Sequence, residues 1–206
     1  VLHYLCCMKK LSLSLLFTIL VNAIAFTQLP ANPEDVSPLL IGEKIPEVTV
    51  KSIEGKEIST STLWAGKNTI LIFYRGGWCP YCNAQLNQLS LIEKDLIELG
   101  YQLLAVSPDK PEKLQESMSK NDLHYTLISD SKGTFSKAVG IAFQAPGRYE
   151  KMLIEAQGDP GTIHLPVPSV FIINGDGEIV FEYINPNYKV RISSELLLGA
   201  AKALKK

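Results

Sequence analysis

Cys79 and Cys82, in the run Trp78-Cys79-Pro80-Tyr81-Cys82, are the residues of this chain best suited to chemistry. A thiolate attacks disulfide sulfur and is readily oxidised; the protonated thiol is far less reactive. The run follows the continuous apolar stretch Thr69–Tyr74. It precedes Leu86, Leu89, Ile92, Leu96 and Leu99, which recur at helical spacing until Gly100. A buried strand therefore turns into an amphipathic helix at the cysteines. Pro80 suits the first helical position, which places Cys79 at the N-cap and Cys82 one turn inside, on the same face. Unpaired amides and the positive end of the helix dipole then face the Cys79 sulfur and stabilise its thiolate. The i to i+3 spacing puts the two sulfurs within disulfide reach. Cys82 is expected to be the more shielded and the less reactive. Arg75, at the strand's end, adds positive charge nearby.

Two plainer roles are open to such a pair. As a structural staple, the three-residue link closes almost no loop and stabilises little. As half of a zinc site it lacks ligands: four are needed, and beyond the pair the folded part of the chain offers only His124 and His164, not paired at ligand spacing. Redox chemistry is the reading favoured by a C-x-x-C at a strand-to-helix turn, with no metal and no cofactor.

The surrounding pattern predicts one α/β domain. Pro46–Val50 and Glu57-Ile58 flank Glu54-Gly55-Lys56 as a short hairpin. The strand Thr69–Tyr74, the long helix, and a strand Gln102–Val106 make a right-handed crossover onto a parallel sheet. Asp109 and Glu112 have the spacing of a capping box before a helix over Lys113–Lys120, and Tyr125–Ile128 is a third strand. Val170–Ile173 and Glu178–Tyr183 flank Asn174-Gly175-Asp176-Gly177 as an antiparallel hairpin. Ser193 caps a final helix bearing Leu196, Leu197, Ala200, Ala201 and Leu204. Between Gly140 and Pro166 periodicity is weak, and an insertion over one end of the sheet is expected.

The chain has 206 residues, 20 Lys+Arg against 21 Asp+Glu, and a net charge of −1. That balance gives no basic field for nucleic acid. Met8-Lys9-Lys10, the apolar run Leu11–Phe26 and Ala23-Ile24-Ala25 form the pattern of a secretory signal peptide over residues 1–25. The initiator is then Met8, and Cys6 and Cys7 never reach the folded protein. The run is shorter than the roughly 20 residues of a spanning helix, so no stable membrane insertion is expected after cleavage. Residues 26–39 read as a linker and 40–206 as the domain, working in a periplasmic or extracellular compartment that permits disulfides.

Taken together, these pieces resemble the peroxiredoxin-like alkyl hydroperoxide reductase/thiol-specific antioxidant (AhpC/TSA) branch of the thioredoxin-fold superfamily. The likeness runs over Leu40–Lys205. It rests on Gly42–Val50, on Phe73-Tyr74-Arg75-Gly76-Gly77-Trp78-Cys79-Pro80-Tyr81-Cys82, on Ala105-Val106-Ser107, and on Val167–Ile173 with Gly175-Asp176-Gly177. It implies a thioredoxin-like α/β fold: a central mixed sheet flanked by helices, with an N-terminal hairpin extension and an insertion before the last hairpin. It also implies that Cys79 is the nucleophile, Cys82 the resolving thiol and Pro168 a cis-proline facing the pair, with Arg75 and Trp78 in support.

The sequence departs from that family in places. Ile72 and Gly76 stand where it usually carries Pro and Thr or Ser, and Pro168-Ser169 where its active-site Arg is expected; Arg148 and Arg191 are the candidates to replace that Arg. Two activities follow. In one, an exported thiol peroxidase reduces hydroperoxides and is recycled by a thioredoxin-like or other thiol reductant. In the other, the pair exchanges electrons with protein disulfides. A binding domain with an inert pair is the non-enzymatic alternative.

Overall fold

The structure, a computed structural model, describes residues 28–121, 123–159 and 163–205. The expected signal peptide (1–25), the start at Met8, and Cys6 and Cys7 lie outside them. A hairpin of β1 (Thr49–Lys51) and β2 (Glu57–Ser59) comes first, followed by the short helix α1 (Thr60–Trp64). Then β3 (Asn68–Phe73), α2 (Pro80–Glu98), β4 (Tyr101–Ser107), α3 (Pro111–Asn121) and β5 (Thr126–Ser129) form the parallel βαβαβ unit. A helix α4 (Thr134–Ala138) leads to the insertion. The hairpin of β8 (Ser169–Ile173) and β9 (Ile179–Ile184) and the helix α6 (Ser194–Leu204) close the fold. These strands make one seven-stranded mixed sheet in the order β2-β1-β5-β4-β3-β8-β9.

Alternation along β3 explains the two layers. Ile70, Ile72 and Tyr74 face α2, α3 and α6 in one apolar layer, with Leu86, Leu89, Leu114 and Leu197. Leu71 and Phe73 face the other, with Phe135 of α4 and Phe171. The Phe73 ring lies 5.0 Å from that of Phe135 and 6.0 Å from that of Phe171, edge-on to both. Each such pair adds about 0.5–1.5 kcal/mol beyond area burial. Gly100, at φ +92°, ends α2 in the left-handed region. At the far end Ser193 Oγ accepts from the Leu196 N–H at 3.2 Å, the expected cap of α6.

Three details differ from expectation. The presumed linker is bonded to the body. Pro30 O accepts from Gln144 N–H at 2.8 Å, Leu39 N–H donates to Val139 O at 3.2 Å, and Val36 and Leu39 pack on the second layer. Proline and asparagine hid these contacts, because they are irregular rather than periodic. The insertion has structure of its own: β6 (Ala142–Gln144) and β7 (His164–Pro166) pair antiparallel, with α5 (Glu150–Gln157) between them. Asp109 does not cap a helix; α3 begins at Pro111, and the Asp109 carboxylate turns toward the cysteine turn instead. Among the described residues no helix is long and apolar enough to cross a membrane.

Candidate functional site

The turn between β3 and α2 is held by backbone and by two side chains. Gly76, at φ +136°, lets the chain reverse before the cysteines. The Gly76 carbonyl accepts from Cys79 N–H at 3.1 Å. Asp109 Oδ2 accepts from Gly77 N–H at 2.7 Å, and Asn83 Nδ2 donates to Gly77 O at 2.9 Å. Cys79 occupies the N-cap and Pro80 the first helical position, as their spacing implies.

Both sulfurs are buried: Cys79 is 1% exposed and Cys82 0%. Cys82 is the deeper of the two, as expected: burial dominates its electrostatics, whereas hydrogen bonding dominates those of Cys79. The hydrogen bond from the Cys82 thiol is the largest cause of a fall in the Cys79 pKa to about 6. The backbone N–H of Cys82 and the positive charges of Arg75 and Arg191 add to it, while burial opposes it. Burial pushes Cys82 well above the ordinary thiol value, with the Cys79 hydrogen bond adding and Arg191 opposing. The two shifts run in opposite directions and place the pair's negative charge on Cys79 rather than on Cys82.

Of the two candidate arginines, Arg191 is the one that reaches the cysteine pair. Its Nη2 donates to Cys82 Sγ at 3.3 Å, its Nη1 to Gln85 Oε1 at 2.8 Å, and its Nε to Tyr188 O at 2.9 Å. No local pattern in the sequence brings residue 191 to residue 82; the packing of α6 against α2 does. Arg75 is 4% exposed and lies among aromatic rings, 4.9 Å from the centre of Trp78, 5.1 Å from Tyr149 and 4.2 Å from Tyr188. The Trp78 ring lies 5.6 Å from that of Tyr149, tilted by 38°; Tyr149 comes from the insertion. Tyr149 and Tyr188 are site residues that sequence reasoning missed, since only tertiary packing carries them here.

Pro168 requires a correction. None of the peptide bonds among the described residues is cis. The chain runs from β7 to β8 extended: Val167 N–H donates to Ile141 O at 2.9 Å, and Pro168 O accepts from Asn185 N–H at 3.2 Å. With extended pairing on both sides, no tight turn calls for the minority isomer. Pro168 nonetheless lines the same cavity as Arg75.

Asp109 is 2% exposed, and burial raises its carboxyl to about 6 against the Gly77 and Ser107 hydrogen bonds and the Lys113 charge. A folded pKa above the unfolded 3.8 means that the native state binds the proton more tightly. That stabilisation is complete below about pH 4 and is lost as pH rises to about 6, by about 3 kcal/mol. Asp109→Asn is therefore expected to flatten the fall in unfolding free energy between pH 4 and 6. Denaturant titrations across that window check it, and an unchanged slope would contradict it.

A family model described as the AhpC/TSA family matches residues 41–182. A putative peroxiredoxin Bcp of Haemophilus influenzae is 31% identical over 106 residues, 52% of this chain and 68% of its own. The thiol-disulfide oxidoreductase ResA of Bacillus cereus is 26% identical over 183 residues, 88% of this chain and 91% of its own. Reduced Prx3 of Vibrio vulnificus, in complex with hydrogen peroxide, superposes with a TM-score of 0.68 at 17% identity, over 79% of this chain and 99% of that one. That last likeness speaks to the fold alone, a thioredoxin-type mixed sheet flanked by helices. With a family match running from the first turn to the last strand, the chain belongs to the AhpC/TSA family.

Proposed function

We propose that this chain is an exported, peroxiredoxin-like thiol peroxidase, acting in the periplasm or outside the cell. The observation that carries the reading is the acidic Cys79, at about 6, paired with a Cys82 that is held protonated. The Cys79 thiolate attacks the hydroperoxide's terminal oxygen and the O–O bond breaks. Cys79 becomes a sulfenic acid, and the departing alkoxide takes a proton to leave as an alcohol. Cys82 then attacks the sulfenic sulfur, water leaves, and a Cys79–Cys82 disulfide forms. Arg191, donating to Cys82 Sγ, favours the thiolate that this second attack needs. An external dithiol, thioredoxin-like or otherwise, reduces the disulfide by exchange.

The second reading is dithiol exchange with protein disulfides. It is favoured by the relative named as a thiol-disulfide oxidoreductase, which aligns with 88% of the chain, and by Gly76 at a position where peroxiredoxins usually carry a hydroxyl. Purified protein with dithiothreitol is expected to consume hydrogen peroxide or cumene hydroperoxide well above the thiol-only rate. Consumption no faster than the blank, with rapid reduction of insulin disulfides, would shift the assignment to exchange.

A further inference from the structure

Arg75 poses a problem that the cysteine chemistry leaves unsolved. A buried guanidinium is ordinarily matched by a carboxylate. Among the described residues no carboxylate lies within ion-pair distance of Arg75; its Nε has no hydrogen-bond partner, and its side chain bonds the Tyr149 phenol, which is no anion to balance it. The rings around it give cation–π attraction of about 0.5–2 kcal/mol, against several kcal/mol for desolvating the ion. A second guanidinium converges on the same place: Arg148 lies 4.9 Å from the Tyr149 ring, and Arg75 5.1 Å from it. Hydrogen bonds from Arg148 and Arg75, ahead of their charges, hold the Tyr149 phenol below its usual pKa. Both line a cavity of about 470 Å³, within the roughly 300–1,000 Å³ typical of small-molecule sites.

We propose that this cavity binds an organic carboxylate, its anionic end between Arg75 and Arg148 and its apolar body against Phe143, Pro146, Pro186 and Tyr188. The lining charges favour a monoanion: two arginines against Glu34, an exposed carboxylate that pairs with neither. The apolar remainder distinguishes such a ligand from inorganic phosphate or acetate. Occupancy also reaches the thiol. The charged and titratable neighbours of Cys79 are Cys82, Arg75 and Arg191. A carboxylate on Arg75 offsets one of the two cations that favour the Cys79 thiolate, so the bound ligand quiets the nucleophile.

The test uses the reduced, intact protein, with decanoate, decanol and acetate as probes. Calorimetry is expected to show decanoate binding about tenfold or more tighter than decanol, from charge-assisted hydrogen bonds, with acetate weaker still. Arg148→Ala, at an exposed position that leaves the core intact, is expected to remove most of the preference for decanoate over decanol. Near pH 6, decanoate is also expected to slow iodoacetamide labelling of Cys79, while decanol at equal occupancy is not. Equal affinity for decanoate and decanol, or a preference unchanged by Arg148→Ala, would overturn the proposal. Acetate binding as tightly as decanoate would overturn its apolar half. No readout involves peroxide, so the cavity's assignment and the peroxidase reading can fail separately.

Discussion

Cys79→Ser is expected to lower peroxide turnover by on the order of a thousandfold or more, to the level of the dithiol alone. A serine hydroxyl at the same N-cap keeps the shape of the turn, so folding is spared. What disappears is the thiolate, which at neutral pH is the dominant form of Cys79 because Cys82, its backbone N–H and two guanidinium groups favour it. Stopped-flow consumption of hydrogen peroxide measures the loss. Because Cys82 remains with a pKa well above the ordinary thiol value, it cannot substitute efficiently. Retention of more than a tenth of the wild-type rate would mean that the nucleophile has been misassigned.

The second large effect comes from a residue with no side chain. A Cβ at Gly76 would meet the Trp78 indole at closer than van der Waals contact, and Asp109 Oδ1 at 2.7 Å. Its φ of +136° also strains any other residue. Gly76→Ala is therefore expected to destabilise the fold by about 2–4 kcal/mol, strain and overpacking acting together. It should also displace the Gly76 carbonyl that anchors Cys79 N–H. Gly55 is the control, with φ +81° and nothing within 4 Å of a new Cβ; there Gly→Ala should cost only about 1 kcal/mol. Denaturant unfolding of both variants makes the comparison. Equal losses would show that crowding around the cysteine turn contributes nothing.

Local pattern carried much of this protein. The short apolar runs that predict β3, β4 and β5 and the period-3.6 stretches that predict α2 and α6 do so because each buries a continuous apolar surface, and the N-cap placement of Cys79 follows from Pro80 at a strand-to-helix turn. What local pattern could not carry was anything fixed by approach of distant segments. Arg191 meets Cys82 across 109 residues. Asp109 has the spacing of a capping residue, but its carboxylate accepts from the Gly77 N–H, 32 residues away, and holds the cysteine turn instead. Tyr149 belongs to an insertion with weak periodicity, yet its ring joins Trp78, Arg75 and Arg148. The cis-proline expectation came from likeness to other redox domains and failed where extended pairing on both sides of Pro168 left nothing to turn.

The central claim is that Cys79 attacks a peroxide and Cys82 resolves the product. Cys82→Ser isolates the first step, because the attack leaves a species with no neighbouring thiol to condense with. Reduced Cys82→Ser protein is exposed to one equivalent of hydrogen peroxide, in parallel to one equivalent of a protein disulfide, and intact mass is measured with and without dimedone. The account predicts a sulfenic acid on Cys79 that dimedone traps in the peroxide arm within seconds, and little adduct in the disulfide arm. A mixed disulfide on Cys79 forming rapidly, with no dimedone-reactive species after peroxide, would contradict it and make this protein a thiol–disulfide oxidoreductase.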